Sequence, residues 1–244
     1  MSVLVCFLTP IAFAADPPEA INLRTPAMRA ILPVGGQTVG ITAWAELSGH
    51  SGSPLHFTVT ADLGELQGNI TPLLAADLNR SSRCGERLEV QSATLAAAAP
   101  SALLNLHVHY ERWACAKAMG REINKRLVGG NAALDVRLNP SVESGAPALH
   151  AEVKSIDADG SLGDALKSGS LGDTLREKIR TSVERAVAKA ATAPALPVEV
   201  NGVAQLRGTA FRDGGRGRLW LSVEGEVRVT PDQLRALAAQ FRAK

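Results

Sequence analysis

From Val39 onward the chain alternates apolar and polar residues with period two. Val39, Ile41, Ala43, Ala45 and Leu47 fall on one face, and Thr42, Trp44, Glu46 and Ser48 on the other, the pattern of a strand buried on one side. Gly49 to Pro54 interrupts it as a turn, and Leu55, Phe57, Val59, Ala61 and Leu63 resume it, so the two runs predict an antiparallel hairpin. Leu104, Leu106, Val108 and Tyr110 predict another one-sided strand, as do Leu134, Val136 and Leu138, and then Leu149, Ala151 and Val153. Leu219, Leu221, Val223, Val227 and Val229 carry the same alternation through Gly225 near the end. So many strands with one apolar face imply an antiparallel sheet, covered on one side and wet on the other.

Elsewhere the period becomes helical. Ala116, Met119, Ile123 and Leu127 recur at helical spacing before Gly129-Gly130, which predicts a short basic helix over 116–128. Leu171, Leu175, Ile179, Val183, Val187 and Ala190 predict a longer amphipathic helix from Ser170 to about Ala193. Ser170 and Asp173 resemble a capping box at its start, and Pro194 and Pro197 close its end. A last short helix is predicted after Thr230-Pro231, with Leu234, Leu237, Ala238 and Phe241 on its apolar side. The expected fold class is α+β, an antiparallel sheet packed on one long amphipathic helix, with shorter helices. The tetrad Ser-Leu-Gly-Asp occurs at 161–164 and 170–173, too few copies for a solenoid.

The first fifteen residues set the compartment. Val3 to Leu8 and Ile11 to Ala14 are apolar and end in Ala12-Phe13-Ala14, the small-x-small spacing of a signal-peptidase site. The segment lacks the basic residues such signals carry at their start, the first Arg being Arg24. The expected organisation is a signal peptide over 1–15 and a single elongated domain over 16–244, periplasmic or secreted. Outside the signal no apolar run approaches the roughly 20 residues of a spanning helix. Cys6 lies inside the signal, and a lipid-attachment role is disfavoured because the apolar run continues past it and Val5 occupies the place of a small residue. Cys84 and Cys115 remain as an even pair and are expected to be bridged.

Charge excludes one class of partner. Lys and Arg number 26 against 24 Asp and Glu, far from the basic balance of a nucleic-acid binder. The basic residues are nonetheless uneven: Arg112, Lys117, Arg121, Lys125 and Arg126 stand against Glu122 alone, a cationic segment suited to peripheral contact with anionic headgroups.

Candidate chemistry is sparse. His107 and His109 share one strand face and could begin a metal site, but no third ligand has recognisable spacing. Ser155 to Gly160 resembles the start of a calcium loop, yet Leu166 stands where the loop requires a bidentate carboxylate. No nucleophile elbow, zinc-protease helix or phosphate-cradling glycine loop occurs. Asp157, Asp159 and Asp164 supply carboxylates without a spacing that assigns acid and base roles. No enzyme activity, cofactor or metal is expected.

In pattern and element order the chain resembles the tubular lipid-binding (TULIP) superfamily, most clearly from Leu134 to Val229, where one-sided strands precede a long amphipathic helix, a Pro-bounded return and a final hairpin. The resemblance implies a strongly curved sheet wrapped around the long helix and enclosing an apolar groove. It carries no diagnostic motif and no functional residue. A sheet with an apolar face needs a cover, and where the stripe from Leu175 to Val187 covers it incompletely an apolar cavity remains. The candidate lining is Phe57, Val59, Leu175, Ile179, Val183, Leu221 and Val223. The expected function is a secreted or periplasmic binding protein for a lipid or other apolar ligand. The alternative is a cell-envelope structural or protein-interaction module with a filled core and no ligand, in which Trp44 and Trp220 would serve as contacts.

Overall fold

The computed structural model describes residues 20–34, 36–50, 52–79, 84–118, 121–167, 169–191, 204–230 and 232–233. The predicted signal segment, Pro194, Pro197 and the apolar residues of the predicted last helix lie outside them. At that helix's expected start, Thr230 and Gln233 bond reciprocally: the Gln233 amide donates to Thr230 Oγ1 at 3.3 Å, and the Thr230 amide to Gln233 Oε1 at 2.9 Å.

The described part of the chain opens with β1 (Ala20–Arg24), β2 (Met28–Val34), β3 (Gln37–His50) and β4 (Leu55–Asp62), followed by helix α1 (Gly64–Leu78). Four long strands follow: β5 (Gly85–Ala98), β6 (Ser101–Ala118), β7 (Arg121–Glu143) and β8 (Ala146–Ala158). Helices α2 (Gly160–Lys167) and α3 (Ser170–Ala191) and strands β9 (Ala204–Asp213) and β10 (Leu219–Val227) complete it. The strands form two antiparallel sheets. One runs β1-β3-β4-β10-β9, with β2 also on β3; the other is the meander β5-β6-β7-β8. β1 and β2 share one edge of β3, and at the break between them Thr25 keeps the ladder whole. Its amide donates to Ala45 O at 2.8 Å, and its hydroxyl accepts from the Ala45 amide at 2.9 Å.

This corrects the expected α+β class. Among the described residues the structure is mostly antiparallel sheet, 64% strand against 23% helix, and is not built as one curved sheet on a single long amphipathic helix. Three helices share the cover of the meander: α1 lies against β5, α2 against β7 and α3 against β8. The predicted basic helix over 116–128 is also corrected: residues 116–118 and 121–128 are the adjoining ends of β6 and β7, and Met119 lies outside the described residues. Strands therefore claim residues that the sequence assigned to helix or loop.

The helices close the edges of the meander as well as its face. Exposed strand edges carry unpaired amides and carbonyls that invite foreign strands. Along β5, Thr71 Oγ1 donates to Ala93 O at 3.0 Å and accepts from the Ala93 amide at 2.9 Å, while Asn79 Oδ1 accepts from the Val90 amide at 2.8 Å. Gln67 joins the two sheets, donating to Leu95 O at 2.9 Å and accepting from the Leu219 amide at 2.7 Å. On the opposite edge Glu184 of α3 accepts from the Ala151 amide of β8 at 3.0 Å. One apolar cluster runs from Val39 and Ile41 through α1 into the meander's Leu104, Leu106, Leu134 and Val136. A smaller one holds Leu55, Phe57, Val59, Val223 and Val227 at the far half of the six-stranded sheet.

Candidate functional site

β6 and β7 outrun their neighbours. β5 begins at Gly85 opposite Trp113, and β8 ends at Ala158 opposite Ala132. Beyond Trp113 the two strands therefore pair only with each other, from Ala114↔Lys125 to Ala118↔Arg121, and a two-stranded hairpin projects from the end of the sheet. Alternation carries strand geometry through this segment: Ala114 and Ala116 continue the face of Tyr110 and Arg112. Gly129 and Gly130, which looked like a helix stop, are strand residues in close quarters. A Cβ on Gly129 would stand 3.2 Å from Glu111 Cγ and 3.3 Å from Tyr110 O.

The cationic residues thus lie on a hairpin. A register shift at Arg112/Trp113 pairs Arg112 with Val128 and Trp113 with Arg126, leaving Leu127 as the extra residue of a bulge. Leu127 and Ile123 are 57% and 56% exposed. Ile123 opposite Ala116 and Lys125 opposite Ala114 share one face, and alanine partners are too short to shield them. Arg112 and Lys125 are exposed, and Arg126 pairs with Glu111 at 3.1 Å. The backbones of Lys117 and Arg121 pair with Glu122 and Ala118 at the hairpin's end.

The expected disulfide is present. Cys84, just before β5, is bonded to Cys115 on the hairpin, with 5.7 Å between the Cα atoms. Such a bond belongs to compartments more oxidising than the cytoplasm. It staples the root of the hairpin to the adjacent chain.

Alternation on β6 puts His107, His109, Glu111 and Trp113 together on the outer face of the meander. Trp113 Nε1 donates to Glu111 Oε2 at 3.0 Å, Arg126 reaches its other oxygen, Arg87 lies 3.4 Å away and His109 Nε2 lies at 3.6 Å. The indole N–H, then the Arg126 guanidinium and His109, hold the Glu111 carboxyl below its ordinary value. His109 Nδ1 is 2.8 Å from Asn131 Oδ1. Among the described residues no three His, Cys, Asp or Glu side chains gather as metal ligands would. The stretch resembling a calcium loop is the end of β8 and its turn into α2, where Ser155 Oγ donates to Asp135 Oδ2 at 2.7 Å.

The seven predicted lining residues are all buried, but not together. Leu175, Ile179, Val183 and Leu221 belong to the large cluster, whereas Phe57, Val59 and Val223 belong to the small one. On the outer face of the six-stranded sheet Trp44 and Trp220 meet edge to face, 5.1 Å between ring centroids, with the Arg24 guanidinium 5.6 Å from the Trp44 ring. Both are half-buried.

Of the seven, Leu175 alone borders a half-open cleft of about 280 Å³ between α1, α3 and the β5–β6 end of the meander. Its apolar wall is Leu78, Leu88, Leu175 and the ring of Tyr110. Lys178, Ser182 and Arg185 recur at i, i+4 and i+7 and so line one side of α3. Lys178 is ion-paired with Glu86, and Arg185 Nη1 reaches both carboxylate oxygens of Asp77 at 2.9 and 3.0 Å. The Tyr110 hydroxyl is buried, and among the described residues no acceptor meets it in full hydrogen-bond geometry. Burial, then the negative charge of Glu86 and a loose hydrogen-bonding contact with that carboxylate, push its ionisation upward. The available signal was that the chain's single tyrosine ends an otherwise apolar run, Leu104-Leu106-Val108, and so carries a polar atom into the core.

The chain matches no protein-family model, no curated protein and no solved structure.

Proposed function

We propose that this chain is a periplasmic or secreted lipid-binding protein that meets lipid as a surface, through the stapled β6–β7 hairpin. The observation carrying this reading is the exposure of Ile123 and Leu127 beside exposed Lys125 and Arg112 on an element that projects beyond both neighbouring strands. Apolar side chains entering the headgroup region supply binding roughly in proportion to buried area, and each nearby cation adds about 1 kcal/mol on an anionic leaflet. The disulfide holds the hairpin extended where a free two-stranded ribbon would be marginal. Phe57, Val59, Leu175, Ile179, Val183, Leu221 and Val223 are packed in two clusters; among the described residues large apolar side chains are exposed at Ile123 and Leu127 on the hairpin and at Met28 and Ile31 on β2, and only the hairpin pair stands on a projecting, cation-bearing element.

A co-sedimentation assay with phosphatidylglycerol-containing vesicles tests the reading. The oxidised protein should pellet with them, less so at high salt and less with pure phosphatidylcholine. The double substitution Ile123→Ser, Leu127→Ser should weaken binding at least tenfold. Equal binding by that variant, or no binding by the unsubstituted protein, overturns it. The second reading, an envelope interaction module with a filled core, draws on the Trp44–Trp220 pair and predicts no vesicle association.

A further inference from the structure

The cleft beside α3 has features that the hairpin reading does not use. It is walled by Leu78, Leu88 and Leu175, and one polar atom at its buried side, the Tyr110 hydroxyl, meets no acceptor in full hydrogen-bond geometry among the described residues although the residue is only 2% exposed. An unsatisfied buried donor costs free energy that an acceptor placed beside it would recover. The charged groups at the cleft are matched across it: Lys178 with Glu86, and Arg185 with Asp77, while Glu177 is held by Arg180 and Thr181. An ionised ligand would have to break one of these pairs. A neutral one would slip between them.

We propose that this cleft is a binding site for a small, neutral, mainly apolar molecule carrying one hydrogen-bond acceptor, such as a ketone, ester or ether, which the Tyr110 hydroxyl donates to. The cavity of about 280 Å³ sets the size: at about 30 Å³ for each water-sized unit of volume, the occupant has about nine heavy atoms. The apolar walls take its hydrocarbon part, and the orphaned hydroxyl fixes its orientation, the usual division of labour in small-molecule pockets. The site is independent of the hairpin, since none of its lining residues belongs to the projecting segment.

Isothermal titration of the oxidised, full-length protein with 2-octanone, and separately with the acceptor-free hydrocarbon n-nonane of equal heavy-atom count, tests the proposal. The ketone is expected to bind saturably with one site and more tightly than the hydrocarbon. Tyr110→Phe keeps the ring and removes the donor, so it should weaken ketone binding about three- to tenfold and leave hydrocarbon binding unchanged. Thermal melting of the same variant supplies an independent readout. With only the loose contact to Glu86 to lose, Tyr110→Phe should melt at or above the temperature of the unsubstituted protein. Absence of saturable ketone binding, unchanged ketone affinity in Tyr110→Phe, or a clearly lowered melting temperature would each overturn it.

Discussion

Gly225 has no room for a side chain. It sits opposite a bulge in β9, where Arg207 is the extra residue, and a Cβ there would stand 2.4 Å from Gln205 O and 2.6 Å from the Phe57 ring. The nearest obstacle is backbone, so the strand itself must move. Gly225→Ala is expected to cost about 1–3 kcal/mol, the range for overpacking a filled core. Urea unfolding checks it, and a neutral result would mean the two strands can separate freely. Glu111 makes a prediction about acid. Its carboxyl is held low by the Trp113 indole N–H first and Arg126 next, so its contribution to stability is present above the unfolded value of about 4.3 and is lost as pH falls through the lower folded value. Glu111→Gln should therefore unfold at lower urea than the unsubstituted protein at pH 7, and the gap should close by about pH 3. A gap of constant size across that range would place the Glu111 contribution in something other than its charge.

At the scale of elements, α1 acts as the edge strip of β5. Thr71→Val keeps the side-chain shape but strands the amide and carbonyl of Ala93, which Thr71 now satisfies together. Leaving half-buried backbone groups unpaired costs about 1–3 kcal/mol, and hydrogen exchange should speed at Ala93 ahead of the rest of β5. Loss of global stability with unchanged local exchange would disprove that role. The disulfide works on the hairpin. It closes a loop with sequence separation 31, for which the chain-entropy argument gives on the order of 4 kcal/mol. The pair Cys84→Ser, Cys115→Ser should lose most of that in urea titrations, with faster amide exchange over residues 114–125. The same elements show what a sequence reveals. The hairpin of β3 and β4 and the alternations of β6, β8 and β10 were legible because each keeps strict parity over its apolar run. β5 was not: its pairing shifts between Val90 and Ser92, so Leu88 and Val90 have one parity and Ala93 and Leu95 the other, and the period-two signal cancels. α1 hides its apolar face of Leu66, Ile70, Leu73 and Leu74 behind Gly68 and Pro72, which read as breakers. In the β6–β7 hairpin Ala116, Ile123 and Leu127 satisfy helical spacing by coincidence. The partner strand decides between the two periods there, and that pairing is tertiary information. The cleft depends likewise on α3 facing β5 and β6 across it, so among its walls only Leu175 and Tyr110 could be named from periodicity, each on its own element.

For the whole molecule, the division of the core into two clusters has consequences for how the structure opens. The large cluster ties the meander, all three helices and the near half of the six-stranded sheet into one body, with Leu104, Leu106, Val108, Val136, Leu138, Ile179 and Val183 fully sequestered. The small cluster holds the far half of the six-stranded sheet through Leu55, Phe57, Val59, Val223 and Val227. Cooperative units follow contiguous buried contacts, and regions with fewer of them open at lower free energy. Thus amides of β6 from Leu104 to Tyr110 should exchange only through global unfolding, with the full dependence on denaturant. Amides paired between Ala45–Ser48 and His56–Val59 should exchange through a smaller opening, with a shallower dependence. Native-state exchange across a low-urea series separates the two. Because β3 contributes Val39 and Ile41 to the large cluster, the boundary should fall within that strand, between Ile41 and Ala45. A single denaturant dependence shared by β3, β4 and β6 would mean that the hydrogen-bonded ladder, continuous along β3, couples the two halves more strongly than their separate cores divide them.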